Sequence, residues 1–195
     1  MWFLSMPLLF APVFSDIHDT GIFSSAYRLI TVIVNVMMVL SGIYGPRFAR
    51  NYNNKNYALL YEDLKKTAYI SMGMFLPLFF IFMIFPSEIL GIFGADFRAG
   101  AHWLQIMAVG QLIYSATGLV GLLLNMIHKE KLELMLMVLS SVLMVIMMLI
   151  LGYLYSITGI AIAFAVGLAF KNLVSLFFAH SILKKLIATH INHSA

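Results

Sequence analysis

Five apolar runs, at residues 21–44, 67–85, 101–127, 132–154 and 160–183, constrain this chain more than any motif in it. About 20 apolar residues in helical form cross the hydrocarbon core of a bilayer. Backbone in that core must satisfy its own N–H and C=O groups, and a run of this length does so as an α-helix. With 62% hydrophobic and 10% charged residues and a mean hydropathy of +0.96, a soluble domain of this size could not hide the apolar surface. The expected fold class is therefore an all-α integral membrane protein with five full transmembrane helices. A sixth apolar stretch, 1–14, is too short to span. It has no Lys or Arg before its apolar run and no small-x-small cleavage site, so it reads as the tail of a longer transmembrane helix whose beginning is missing, not as a signal peptide.

Basic residues sort the connections into two sets. Arg47, Arg50, Lys55, Lys65 and Lys66 follow the first span, Lys129 and Lys131 follow the third, and Lys184 and Lys185 follow the fifth. The alternate connections hold Arg98, with Asp16, Asp19, Glu88 and Asp96 beside it. Positive loops are retained on the cytoplasmic side, which places the C-terminus there. The +4 net charge is thus topology, and nucleic acid is not an expected partner. Residues 1–185 form one transmembrane lobe, followed by a cytoplasmic tail at 186–195 that holds His190 and His193. Gly45-Pro46 and Phe85-Pro86 are expected to end the helices before them, since proline removes a donor and disfavours helix in the preceding residue. Between Pro46 and Lys66, Tyr57, Leu60, Tyr61 and Leu64 recur at helical spacing. That segment is either a short amphipathic helix on the inner surface or a solvated loop, and adjacent Glu62 and Asp63 read as part of its solvated face.

Arg28 and Lys171 are the two cations inside spans, and the eight acidic residues are all assigned to the connections. A cation at bilayer depth costs roughly 3 kcal/mol on insertion scales, so it faces a cavity, a partner or a substrate. An anionic substrate follows for Lys171, which lies too deep to reach either surface. The alternative is a lysine bonded to carbonyls or to a partner such as Gln111. Arg28 is closer to the outer end of its helix and has snorkelling to the headgroups as its alternative. Polar and small residues recur every three or four positions on three helices: Ser24, Arg28, Thr31, Asn35, Met38, Gly42; then Gln111, Ser115, Gly118, Leu122, Asn125; then Gly159, Ala163, Gly167, Lys171, Ser175, Ala179. Close helix packing accounts for the small members. Lys171, Arg28, Gln111, Asn35 and Asn125 are the candidate cavity residues.

Other function classes find little support. The chain has no Cys, hence no thiol nucleophile, disulfide or cysteine metal site. No Gly-x-Ser-x-Gly elbow surrounds Ser115, no helix carries paired carboxylates, and there is no His-Glu metal motif. Neither an enzyme, a metal nor a cofactor is expected. Ion-coupled export of cationic drugs wants a membrane-embedded carboxylate, which this reading of the spans does not supply.

The strings Gly21-Ile22-Phe23-Ser24-Ser25-Ala26-Tyr27-Arg28-Leu29, Gly45-Pro46-Arg47-Phe48-Ala49 and Phe93-Gly94-Ala95-Asp96-Phe97-Arg98-Ala99-Gly100-Ala101 occur in an order that resembles polysaccharide biosynthesis proteins of the Wzx type. The run from Leu104 through Gly110-Gln111 and Gly118 to Asn125-Met126-Ile127-His128-Lys129-Glu130 is the most specific part, with Ile127 where the family has a glycine. Gly159-Ile160-Ala161-Ile162-Ala163 is also similar, and the resemblance extends over about 16–183. These are O-antigen flippases of the multidrug, oligosaccharidyl-lipid and polysaccharide exporter superfamily, built of two six-helix lobes around a central cavity. The resemblance implies the C-terminal lobe of such a MATE-like transporter. It implies flipping of an undecaprenyl-pyrophosphate-linked oligosaccharide across the bacterial inner membrane by alternating access, with Lys171 and Arg28 matched to a cavity role by charge and depth only. The implied partners are the lipid-linked oligosaccharide, membrane lipid, and a missing N-terminal lobe or second membrane subunit, without which one lobe is expected to be inactive. A non-transporting scaffold of a polysaccharide assembly complex and a multidrug exporter lobe are the alternatives. The chain reads as either a truncated gene product or a fragment of a longer reading frame.

Overall fold

The computed structural model describes residues 2–194, with side chains from Phe3 to Thr189. The side chains of His190 and His193 lie outside it. The described residues are helical with no strands. Helices α1 (Trp2–Phe14), α2 (Ile17–Ile30), α3 (Val32–Asn53) and α4 (Tyr57–Ile84) are followed by the short α5 (Pro86–Gly91) and a 3-10 turn at Ala95–Gly100. Then come α6 (Ala101–Thr117), α7 (Val120–Met126) and a final stretch, Glu130–Ser194. One residue in that stretch, Ser156, leaves helical geometry (φ 51°, ψ −133°). The chain reverses there, giving two arms, α8 (130–155) and α9 (157–194).

Contacts along the arms prove the reversal. Gly159 lies against the Leu151 backbone, Gly167 against Met144, and Lys171 against Glu133. Each pair recedes from Ser156 in step, as in an antiparallel hairpin. The small stripe predicted on the last span is the face that makes this contact: Gly159, Ala163, Gly167, Ser175 and Ala179 are buried. Small residues let two backbones approach closely in lipid. At Gly110 on α6 an added Cβ would sit 2.7 Å from the Ala165 Cα, so α6 approaches α9 equally closely.

By length and composition four helical stretches can cross a membrane: Ile17–Asn53, Tyr57–Ile84, Ala95–Met126 and Glu130–Thr189. The fourth, doubled back at Ser156, supplies two crossings, which makes the five expected. Leu134, Val138, Val142, Ile146 and Leu149 on α8 remain about half exposed. An apolar surface of that extent suits lipid, not water. The chain is a multi-pass membrane protein. The basic connections share one end of the bundle, where the Tyr52 ring is 5.8 Å from His128 and the Tyr61 hydroxyl is 3.3 Å from His180 Nδ1. At the other end Trp103 donates to Thr158 Oγ1 (3.0 Å) and Gly152 packs on Phe14.

Pro46 does not end its helix. α3 runs through it to Asn53, because Tyr44, Phe48 and Asn51 on either side are buried in tertiary contact and hold a helix that proline would otherwise break. Nor is there a separate surface helix at 57–66. These residues are the first turns of α4, with Leu60 and Leu64 in the core. Asp63 is not solvated: it is 3% exposed, accepting from Arg47 Nη2 (2.7 Å) and Asn51 Nδ2 (2.8 Å). That clamp fixes α3 against α4 across the short connection at 54–56, while neighbouring Glu62 makes a surface pair with Lys66 (3.0 Å). Phe85-Pro86 does end α4. The terminal helix continues past 185 to Ser194.

Two spans are interrupted. The first breaks at Thr31, whose hydroxyl donates to the Arg28 carbonyl (2.9 Å), a local bond that competes with the helix ladder. The third breaks at Gly118 (φ 62°, ψ −150°). Backbone groups freed in an apolar medium need partners, and α4 provides them. Thr67 Oγ1 accepts from Leu119 N (3.2 Å) and Ser71 Oγ donates to the Ser115 carbonyl (2.6 Å). A Cβ on Gly118 would lie 2.7 Å from both Ala68 N and Thr67 Oγ1. Gly118→Ala is therefore expected to destabilise the purified protein by about 2 kcal/mol through backbone strain and crowding. Its melting temperature in detergent should fall by several degrees, while Gly73→Ala, mid-helix in α4 and meeting nothing within 4 Å, should not lower it.

Candidate functional site

A pocket of about 260 Å³ opens beside the Gly118 break. Its polar wall comes from Ser41 on α3, Tyr114 on α6, Asn125 on α7, Glu133 on α8, and Lys171 and Asn172 on α9. The break produces it: α6 stops at Thr117 and α7 restarts at Val120, so Gly118 and Gly121 present backbone with no side chain to fill the space. Beyond α7 the chain turns within three residues, with His128 in the left-handed region (φ 59°) and Lys129 N bonded to the Leu124 carbonyl (2.9 Å). This tight turn, at the position where the family resemblance lacked its glycine, brings Asn125 and Glu133 to one cavity.

Lys171 and Glu133 form a direct ion pair, with their side chains 15% and 11% exposed. Ser175, one turn beyond Lys171, donates its hydroxyl to the second carboxylate oxygen (3.0 Å). Glu133 is in the first turn of α8, where the exposed N–H groups of the helix favour an anion. Lys171 stands fourteen residues into α9, roughly 21 Å along a helix rising 1.5 Å per residue. Neither charge would be tolerated singly in these surroundings. On the far side α7 approaches so closely that a Cβ on Gly121 would collide with the carboxylate and lie 3.0 Å from Lys171 Nζ.

This overturns the expectation that every acidic residue lies in a connection. Glu133 is the second residue of the 132–154 run, and α8 carries it inside the bundle. The pocket therefore holds a buried carboxylate as well as a buried cation, and Lys171 is already matched in charge. The reason is geometric: residues 38 positions apart meet only because Ser156 folds α9 back along α8. Of the other candidates, Asn125 lines the pocket. Arg28 and Asn35 do not; both are exposed on the outer surface of α2 and α3. Gln111 is fully buried one turn from Tyr114, yet neither its Oε1 nor its Nε2 has a hydrogen-bond partner among the described residues, so it is not the group that holds Lys171.

An unpartnered buried amide costs about 1–3 kcal/mol. Gln111→Leu, of similar volume, is expected to raise the stability of the protein by about 1 kcal/mol, read as a higher melting temperature in detergent. A lower one would show that the amide has a partner in the membrane.

Residues 1–151 match the MatE family model. The probable low-salt glycan biosynthesis flippase Agl15 of Haloferax volcanii is 25% identical over 164 residues, covering 83% of this chain and 34% of that protein. The chain thus spans about a third of the length of the curated relative it matches. No solved structure matches it.

Proposed function

The chain belongs to the MatE family of membrane transporters, and from that premise we propose that it is one lobe, the C-terminal one, of a flippase for lipid-linked oligosaccharides. The pocket at Lys171 is the observation that carries the reading: a polar cavity inside the bundle, with a cation able to meet a phosphate and neutral groups able to meet sugar hydroxyls. The relative described as a glycan biosynthesis flippase supports the same substrate class. In this reading the substrate is a polyprenyl-pyrophosphate-linked sugar unit of the undecaprenyl type. The unit passes from the inner to the outer leaflet of a bacterial cytoplasmic membrane for surface polysaccharide such as O-antigen, with the C-terminus of the chain in the cytoplasm. One lobe forms one wall of an alternating-access pathway, so a second lobe, on the same polypeptide or another, supplies the opposite wall. In this reading Arg28 and Asn35, which are exposed on α2 and α3, face that second lobe.

Testing Lys171 requires separating function from folding. Lys171→Met alone leaves Glu133 buried and unpaired, at a cost of about 3–5 kcal/mol. Lys171→Met combined with Glu133→Leu removes both charges and is expected to restore stability to within about 1 kcal/mol of the wild type. In a full-length transporter carrying this lobe, expressed in cells lacking their own flippase, the double variant should accumulate normally yet leave the surface polysaccharide absent. Normal polysaccharide would overturn the assignment. Glu133 also favours a second reading, a multidrug exporter lobe, because a membrane-embedded carboxylate suits a cationic drug. That reading requires Glu133→Gln to abolish drug efflux in cells whose surface glycan is unaffected.

A further inference from the structure

We infer that the Glu133 carboxylate is an internal stand-in for the substrate's anionic group: it occupies the Lys171 ammonium while the pocket is empty and is exchanged for the substrate's phosphate when the pocket fills. The inference rests on the reading of this pocket as the site that receives that group.

Three observations carry it. The ammonium is already engaged, because Glu133 holds it in a direct ion pair, so an incoming anion must compete with a carboxylate and not merely with solvent. The carboxylate is held lightly enough to leave. Its remaining side-chain bond is to the Ser175 hydroxyl at 3.0 Å, a neutral donor, and it lies at the end of a flexible side chain on the first turn of α8. Lastly, the pocket has somewhere for it to go. Tyr114 and Asn125 share the cavity with the pair, and a carboxylate swung off Lys171 can accept from them without leaving the protein; Ser41 and Asn172 also line it but already donate to the Met37 and Leu168 carbonyls. Asp63 makes a useful contrast. It is gripped through both oxygens by Arg47 and Asn51, as expected of a clamp that does not open.

Exchange also answers a problem that any anion site in lipid faces. A lone buried ammonium is costly, so an empty site gains from its own counter-charge; one that is held too tightly would exclude the substrate. A single carboxylate on a neighbouring helix satisfies both demands. It also ties the state of the pocket to the α8–α9 contact, because filling the site breaks an ion pair that joins the two arms.

The test uses the purified chain in nanodiscs and inorganic pyrophosphate as probe, by calorimetry. Glu133→Gln, which removes the competing charge, is expected to bind pyrophosphate at least tenfold more tightly than the wild type, Glu133→Asp to fall between them, and Lys171→Gln to lose binding. Equal or weaker binding by Glu133→Gln, with binding still lost in Lys171→Gln, overturns the exchange and leaves the anion site standing. Absence of binding in every variant, or binding indifferent to Lys171, overturns the anion site and the exchange with it. If Glu133→Gln does not fold, infrared difference spectra of wild-type protein labelled with ¹³C-glutamate decide the matter. Saturating pyrophosphate should shift one carboxylate band as Glu133 leaves Lys171, and an unchanged spectrum overturns the exchange.

Discussion

In a lipid solvent no water is available to satisfy a stray polar group, and that constraint governs most of the non-repetitive structure in this chain. Where the third span breaks and where buried charges enter, a neighbouring helix supplies the side chain that answers them. Thr67 and Ser71 of α4 serve the backbone released around Gly118. Glu133 of α8 neutralises Lys171 of α9, and Asn51 and Arg47 of α3 hold Asp63 of α4. Apolar packing alone would let these helices slide over one another, since lipid tails compete equally well for their surfaces. The polar pairs set the register.

The same rule explains why the pocket lies where it does. A helix interrupted inside the membrane is tolerated where its backbone is buried in protein or lines a cavity, and the Gly118 break does both: one side is bonded to α4 and the other opens beside Lys171. The break, two glycines and the hairpin at Ser156 together produce a small polar chamber in a bundle whose core is mainly apolar. Among the described residues Gln111 is the exception, its buried amide having no hydrogen-bond partner.

Much of the fold was legible from periodicity and charge. The five runs are the five crossings, the basic connections share one end, and the small stripe on α9 is its packing face. What escaped the one-dimensional reading was long-range. Pro46 reads locally as a stop, yet the contacts of Phe48 and Asn51 carry α3 through it. Asp63 reads as surface beside Glu62, yet a helix that continues without interruption from Tyr57 turns it inward. Glu133, at the edge of an apolar run and next to Lys129, Glu130 and Lys131, has the neighbourhood of a surface residue. Its position one residue inside the run was the available signal.

Composition and the spacing of apolar runs thus determined by themselves that this is an all-α membrane protein with a cation buried in its last span, because hydrocarbon thickness and backbone hydrogen bonding leave few other solutions. Tertiary structure decided what that cation meets. Lys171 and Glu133 lie on different helices, and no local propensity or periodicity links them. Only the reversal at Ser156, which lays α9 back along α8, brings the two charges together, and the electrostatic cost of leaving either one alone in an apolar interior joins them.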